Sequence, residues 1–266
     1  MTGALDILRR VEALRAPFGF ERSVKLVDGA LYDDRCLMSL HRSALGPAPC
    51  RLLTQMVSKF GAPDPVCLAL HEALRGAEVV HIGHESEDGA AVRKLYFEYV
   101  SRARAAMARG EPVLVHLAYK WAMNGDHATA VTRYVWRPCP TLRDAEARVA
   151  ERLPQTRAPR ARATALALLD KAAALANNGE LNMLDVEEPG NPRQSLDMNL
   201  YDAGLTIAGV ETLLARAGEA FSIAPARLDA AFQRDRAAAL GHLGAGIDRR
   251  GREFVTFYFG VEARGE

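Results

Sequence analysis

Five pairs of strand-like segments recur along the chain, and a short polar turn joins the members of each pair. Within each segment apolar and polar residues alternate with a period of two, which is typical of strands with one buried face. Asp-Gly, Asn-Gly, Pro-Gly or Arg-Gly steps in the turns are signals for β-hairpins. The predicted strand pairs are 21–27 with 35–41, 78–85 with 90–100, 113–122 with 128–136, 181–187 with 193–201, and 240–247 with 252–261.

Between the hairpins the apolar period changes to about 3.6 residues, which predicts amphipathic helices. Thr141, followed three residues later by Asp144, predicts a helix start, and Asn177-Asn178-Gly179 predicts a helix end. The predicted helices cover residues 2–16, 50–60, 64–76, 101–110, 141–153, 160–177, 209–221 and 225–240.

The alternation also predicts which way the strand faces point. In the fourth hairpin Ser195, Asp197 and Asn199 share one face with Tyr201, while leucine and methionine occupy the other face. The apolar face suits packing against helices, and an open sheet would leave the polar, aromatic face in bulk water. We therefore predict a single α+β domain over residues 1–266, a ten-stranded antiparallel barrel of five hairpins surrounded by helices.

The charge balance excludes several classes of partner. The 266 residues include 34 basic and 33 acidic side chains, so the net charge of +1 argues against a protein that binds nucleic acid or a membrane surface. No run of about 18 apolar residues predicts a membrane span. The amino-terminal segment lacks the apolar stretch of a signal peptide, so a cytoplasmic location is expected.

Metal and nucleotide motifs are not found in the sequence. The cysteines (Cys36, Cys50, Cys67 and Cys139) have no zinc spacing and are expected to be reduced. The histidines are interpreted as structural or as lining the barrel interior, and no metal ligand set is predicted. Gly244-Ala245-Gly246 is interpreted as close packing, not as a phosphate cradle. The histidines considered are His81, His84, His116 and His242.

Basic and aromatic residues on the polar strand faces suit a diphosphate and a carbocation. Basic groups hold diphosphate oxygens by charge-assisted hydrogen bonds, and aromatic faces stabilise an allyl cation. A single such residue would be a rim charge or a core tyrosine, but a Lys/Thr-x-Tyr pattern recurs on the second strands of hairpins. The basic candidates are Arg35, Lys94, Lys120, Arg133 and Arg193. The aromatic candidates are Tyr96, Tyr134, Trp136, Tyr201 and Tyr258.

Two segments carry a resemblance to a known family. HIGHESEDGAAVRKLYFEY (81–99) and FERSVKLVDG (20–29), the latter followed by Arg35, resemble the corresponding hairpins of ABBA-type prenyltransferases. Within that class the sequence is most similar to the cyanobactin prenyltransferases, which modify ribosomal peptides. The order and number of hairpins agree with that barrel over nearly the whole chain.

The resemblance implies roles for individual residues. Glu21 would position the acceptor and take its proton, Arg35 and Lys94 would bind the diphosphate, and Tyr96 and Tyr258 would shield the prenyl group. Other assignments rest on the strand face alone. They are Lys120 and Arg133 for the diphosphate and Tyr134 and Tyr201 for the shield.

These roles predict transfer of a dimethylallyl or geranyl group from its diphosphate to a nucleophilic side chain of a peptide, which can be modified or macrocyclic. An aromatic small-molecule prenyltransferase and a non-catalytic barrel that binds an apolar ligand are the alternatives. Mg²⁺ can accompany the diphosphate, although the sequence names no ligands for it, and no organic cofactor is expected.

Overall fold

A computed structural model of the chain describes residues 3–123, 129–175 and 182–265. Its strands are β1 (Phe18–Val27), β2 (Ala30–Tyr32), β3 (Arg35–His41), β4 (Val79–Glu87), β5 (Ala90–Glu98), β6 (Val113–Ala122), β7 (Thr129–Trp136), β8 (Met183–Glu187), β9 (Gln194–Asn199), β10 (Leu240–Ile247) and β11 (Glu253–Arg264). Its helices are α1 (Ala4–Glu12), α2 (Pro49–Lys59), α3 (Asp64–Leu74), α4 (Val100–Met107), α5 (Leu142–Arg152), α6 (Pro159–Ala173), α7 (Glu211–Ala220) and α8 (Pro225–Phe232).

The strands form one sheet in the order β11-β10-β9-β8-β7-β6-β5-β4-β3-β1-β2, and a pairing between β11 and β1 closes it. Only Asp33 and Asp34 separate β2 from β3. The strands β2 and β3 therefore form one interrupted barrel strand beside β1. The predicted fold is confirmed as a closed ten-stranded antiparallel barrel with surrounding helices. Closure removes the exposed edges that an open sheet would present.

Some predicted features lie outside the described residues. They are residue 2 of the first helix, most of the turn of the third hairpin and the first residue of its second strand (124–128), the stop signal at 177–179, and the first residue of the strand predicted at 181–187.

The contacts of the chain cluster into two compact units. Unit 1 comprises Met1–Glu21, Asp34–Tyr134 and Glu262–Glu266, and unit 2 comprises Arg22–Asp33 and Val135–Val261. Each unit has its own apolar cluster. The single domain over 1–266 stays a prediction. Among the described residues, no helix is long and apolar enough to cross a membrane.

In unit 1 the helices cover the apolar face of the strands, which we call the outer face. Ile7 of α1, Leu53 of α2 and Leu70 of α3 are fully buried in the same cluster as the strand residues Val80 and Phe97. Full burial of a side chain such as Phe97 stabilises the fold by about 1.5–3 kcal/mol. The alternating polar residues therefore point to the opposite, inner face.

Unit 2 follows the same pattern. The predicted capping box is present at the start of α5, where the Thr141 side chain accepts from the backbone of Asp144 and the Asp144 side chain accepts from the backbone of Thr141. On the outer face of β9 and β11, Leu196, Met198 and Phe257 belong to an apolar cluster that also contains buried residues of the unit 2 helices. All four cysteines are free.

Two predicted boundaries are wrong. The predicted turn at 28–34 is shorter, because Ala30–Tyr32 already pairs with β1 after an Asp28-Gly29 turn. The helix predicted over 225–240 ends at Phe232. Beyond it, Gln233–Asp235 form a short 3-10 turn, and the carbonyl oxygens of Arg236 and Ala238 accept from the backbone of residues 207–208 instead of from a further helical turn.

Close packing against β9 requires a glycine at position 246 of β10. Its φ is +151°, and a Cβ at this position would lie 2.3 Å from the carbonyl oxygen of Gln194 on β9. At Gly244 the nearest atom to an added Cβ, on Tyr258, would lie at 3.5 Å, an ordinary contact. The interpretation of this segment as close packing therefore holds at Gly246.

We expect Gly246→Ala to lower the free energy of unfolding by about 1–3 kcal/mol, because the Cβ forces the β9–β10 pair apart. Gly244→Ala is the matched control and should be close to wild type. Denaturant unfolding of the three proteins measures the difference, and equal stabilities of the two variants would contradict this account.

Candidate functional site

Three predicted cations lie on the inner face of unit 1. Arg35, Lys94 and Lys120 are 5%, 9% and 3% exposed. Lys94 on β5 is the direct partner of Lys120 on β6 in the strand register. Like charges directly opposite each other on paired strands destabilise a sheet. This arrangement therefore favours a bound anion between or beside the two ammonium groups.

Carboxylates that the sequence analysis missed form ion pairs with Arg35 and Lys94. Glu85 accepts from Arg35 at 2.6 Å and also forms an ion pair with Lys94. Glu87 accepts from Arg35 at 2.9 Å. The sequence shows acidic residues next to the turn of the second hairpin. Their contact with Arg35 could not be predicted from it, because the pairing of Arg35 with Glu85 depends on the register between β3 and β4.

Four aromatic rings lie next to the cations on the inner face of unit 1. The ring centroids of Tyr96 and Tyr134 are 5.7 Å apart, and Tyr134 contacts His116 at 5.7 Å. His81 contacts Tyr96 at 6.1 Å and His116 at 5.6 Å. Lys120 lies 6.0 Å from the ring centroid of Tyr134. The two tyrosines thus meet as predicted, and the two histidines complete the cluster.

A hydrogen-bonded chain of three side chains lies at the edge of this aromatic cluster. Oγ of Ser39 is 2.8 Å from Nδ1 of His81, and Nε2 of His81 is 3.0 Å from Oε2 of Glu98. One ligand atom each from His81, Glu98 and His116 lies within 4.8 Å of the others. Two imidazoles and a carboxylate are ligands that a divalent transition metal can use. From the sequence, these histidines are expected to be structural or to line the barrel interior.

The polar residues of β5 order these groups into three tiers. Lys94, Tyr96 and Glu98 are two residues apart on the same face, so successive tiers are separated by about 6.8 Å. The register places Lys120 in the first tier, His81 beside Tyr96 in the second, and His116 beside Glu98 in the third. We call these the cation tier, the aromatic tier and the imidazole–carboxylate tier.

Glu21 lies on the inner face of β1 and is 7% exposed. Two residues before it, an added Cβ on Gly19 would lie 3.7 Å from Cβ of Ser39. Antiparallel pairing then places Glu21 level with Leu37, whose partner Gly83 is in turn the partner of Lys94. Glu21 therefore lies at the level of the cation tier.

The structure does not bring Arg133 to this site. Thr132 and Tyr134 lie on the inner face of β7, so Arg133 between them points to the other face, where it is exposed. The alternation along β7 was enough to show this, since the Thr132-x-Tyr134 pattern already sets the face.

The remaining predicted tyrosines form a separate group in unit 2. The ring centroid of His242 lies 5.2 Å from that of Tyr201 and 6.2 Å from that of Tyr258. Nδ1 of His242 is 2.9 Å from a carboxylate oxygen of Asp197. Tyr201 follows β9 in a short 3-10 turn and is 37% exposed. Trp136, also in unit 2, has its indole Nε1 3.3 Å from Oδ1 of Asn182.

Unit 2 also holds a buried cation that the sequence analysis missed. Lys25 is 3.4 Å from Asp248 and 5.0 Å from the ring centroid of Phe254. Burial alone would raise the pKa of Asp248, but Lys25 and bonds from Arg252 outweigh it, so that pKa is lowered. Arg193, a weaker candidate, is bonded to Glu188 at 3.3 Å.

His84 has a structural position on the outer face of unit 1. Its ring is bonded to Asp34 at 3.1 Å and to the buried Arg93. Burial is the main cause of the lowered pKa of His84, although the bond to Asp34 acts in the opposite direction. This agrees with the structural interpretation of this histidine.

Solved structures share the fold of this chain. The prenyltransferase PriB, in a ternary complex with L-tryptophan and dimethylallyl thiolodiphosphate, is 17% identical with a TM-score of 0.60, over 91% of this chain and 79% of that one. The 5-dimethylallyltryptophan synthase from Streptomyces coelicolor is 15% identical with a TM-score of 0.59, over 91% and 80%. AnaPT from Neosartorya fischeri is 13% identical with a TM-score of 0.55, over 90% and 77%. No protein-family model and no curated protein matches the sequence.

These similarities define the fold as the ABBA-type prenyltransferase barrel. At such low identity they concern the fold alone. The likeness to the cyanobactin subfamily stays a prediction from the sequence.

Inorganic pyrophosphate tests the cation tier without any assumption about the acceptor. We expect Lys94→Met and Lys120→Met each to weaken pyrophosphate binding roughly 10- to 150-fold, because a charge-assisted bond contributes about 1.5–3 kcal/mol. Isothermal titration at fixed ionic strength measures the dissociation constants. Arg133→Met is the control and should bind like wild type, and equal binding by all four proteins would remove the anion site from this tier.

Proposed function

We propose that the protein is a prenyltransferase that moves a dimethylallyl or geranyl group from its diphosphate to an aromatic acceptor. The observation that carries the proposal is the order of the tiers on the inner face of unit 1. Buried cations are followed by tyrosine rings 5.7 Å apart and then by imidazole and carboxylate groups. The cations suit the diphosphate of an allylic donor, the rings suit its allyl group, and the polar groups suit the acceptor.

The cation tier would bind the diphosphate. Arg35, Lys94 and Lys120 present fixed positive charge in a site with little water, where electrostatic stabilisation of a leaving anion is strongest. When the C–O bond of the donor breaks, both electrons leave with the diphosphate. The new anion would then be compensated by Arg35 and Lys94, which also form ion pairs with Glu85 and Glu87.

The aromatic tier would hold the allyl cation. The faces of Tyr96 and Tyr134 offer the negative end of the ring quadrupole, and both side chains exclude water that would capture the cation. Lys120 lies beside Tyr134, so diphosphate must neutralise this ammonium before a second positive charge forms next to it. Tyr201 and Tyr258 in unit 2 keep the shielding role only as a prediction.

Mg²⁺ bound with the diphosphate also stays a prediction. Glu85 and Glu87 supply the carboxylate oxygens that Mg²⁺ prefers. Both carboxylates already bond to Arg35, and Glu85 also bonds to Lys94, so an ion at this position would compete with those cations.

Two acceptor classes are supported by different observations. The solved structures of the same fold include a complex with L-tryptophan and a synthase named for dimethylallyltryptophan, which favours a free aromatic small molecule. The resemblance of residues 81–99 and 20–29 to cyanobactin enzymes favours an aromatic or other nucleophilic side chain of a peptide. Glu21 keeps its implied role, positioning the acceptor by taking a hydrogen bond or proton from its N–H or O–H.

The proposal is tested by incubating the full chain with dimethylallyl or geranyl diphosphate and two sets of acceptors. One set contains free tryptophan, tyrosine and simple indoles and phenols, and the other contains linear and cyclic peptides with the same side chains. Mass spectrometry should show the addition of one prenyl unit to a member of one set. Arg35→Ala should remove most of this product, because it removes a diphosphate ligand.

The two sets separate the acceptor classes. Product with free aromatics alone supports the small-molecule enzyme, and product with peptides alone supports the cyanobactin-like enzyme. Absence of any product, together with binding of apolar ligands that does not depend on Arg35, would contradict the proposal and favour a non-catalytic barrel.

A further inference from the structure

The imidazole–carboxylate tier has no task in the binding of the donor. It lies about 6.8 Å beyond Tyr96 along β5, on the side away from Lys94. With the diphosphate in the cation tier, the allyl carbons C1 and C3, which share the positive charge, lie along the tyrosines at the level of Ser39 and His81. An acceptor that attacks either carbon must therefore lie against these two side chains, and Glu98 of the next tier bonds to His81.

Hydrogen bonds link Ser39 and His81 of the aromatic tier to Glu98. A carboxylate can only accept, so Nε2 of His81 donates to Glu98, and in that tautomer of the neutral ring Nδ1 accepts from the hydroxyl of Ser39. A carboxylate in this position holds the imidazole in one tautomer and stabilises the imidazolium that forms when the ring takes a proton. Ser39, His81 and Glu98 are on three successive strands of the sheet, so the chain is fixed by the barrel itself.

Alkylation of an aromatic ring at carbon requires two separate polar contacts. One group accepts a hydrogen bond from the N–H or O–H of the acceptor and makes the ring more nucleophilic. A second group removes the proton from the carbon that has just been alkylated, because the ring regains aromaticity only after this loss. Glu21 lies two residues along the sheet from the level of Ser39 and His81, about 6.8 Å away, so an acceptor ring system that spans both levels meets it with its N–H or O–H.

We propose that Ser39 and His81 remove this ring proton and that Glu98 positions and stabilises His81. The inference rests on the proposed function and narrows it to transfer onto a ring carbon. The new bond joins the allyl carbon to the ring carbon, while the C–O bond of the donor breaks and its electron pair leaves with diphosphate. The ring proton then passes to Oγ of Ser39 as the hydroxyl proton of Ser39 passes to Nδ1 of His81.

Groups from three strands surround the His81 ring. Ser39 from β3 and Glu98 from β5 bond to its two nitrogens, while Tyr96 from β5 and His116 from β6 contact its ring edge to face.

The test uses tryptophan, or whichever aromatic acceptor the wild-type enzyme prenylates, with deuterium at the alkylated carbon. In the wild type, loss of the ring proton is fast and the deuterated acceptor should react at the same rate. In His81→Asn and Glu98→Gln we expect turnover to fall roughly 10²- to 10⁴-fold, the range for a lost acid–base group. In both variants a primary isotope effect should appear, because proton removal has become the slow step.

Two further measurements separate this role from a structural one. Donor consumption without acceptor transfer, measured as prenyl alcohol, should persist in both variants because the cation tier is intact. Glu98→Asp should keep part of the turnover that Glu98→Gln loses, because it retains a carboxylate that can accept from Nε2 of His81. His71→Asn, an exposed histidine on α3, is the matched control and should behave as wild type.

The outcomes distinguish this inference from the proposed function. If the wild type prenylates a ring carbon and His81→Asn keeps its rate without an isotope effect, the relay is wrong and the prenyltransferase stands. Products alkylated only at nitrogen or oxygen would also overturn the relay, because no ring proton is then lost. If the wild type neither transfers nor consumes donor, the proposed function fails and the relay fails with it.

Discussion

Lys94 and Lys120 lie directly opposite each other on neighbouring strands, and both are almost completely buried. Two ammonium groups so close in a site of low polarity are unfavourable unless anionic groups compensate them. Glu85 supplies such a charge to Lys94 and to Arg35 at once. The rest of the site follows from this constraint, because a diphosphate has the charge and the oxygen atoms to join or replace that carboxylate.

Beyond this charged pair, the strand register places different side chains in a fixed order. Along β5, lysine, tyrosine and glutamate follow each other at intervals of two residues on the inner face. On β4 and β6 the same steps bring His81 and His116 level with the aromatic and carboxylate positions. Positive charge thus lies at one end, polarizable rings lie in the middle, and proton-accepting groups lie at the other end. A reaction that separates an anion from a carbocation and then releases a proton needs this order.

The period-two alternation was sufficient to predict the barrel, the inner position of Lys94 and Tyr96, and the exclusion of Leu95 from the site. The same alternation argues against Arg133, whose assignment to the inner face was wrong because Thr132 and Tyr134 on either side of it occupy that face. Glu85 and the Ser39–His81–Glu98 chain could not be found in this way. Ser39 and Glu98 are 59 positions apart, and only the pairing of three strands brings them to one imidazole.

The most direct test is a crystal structure of the protein with dimethylallyl thiolodiphosphate, a donor whose C–S bond resists cleavage. The account predicts diphosphate oxygens within hydrogen-bond distance of Lys94 and Lys120, and the prenyl chain between Tyr96 and Tyr134 with its far end toward Glu98. A diphosphate bound away from both lysines, or a prenyl chain that points toward Glu87, would contradict the order of the tiers on which the proposed function depends.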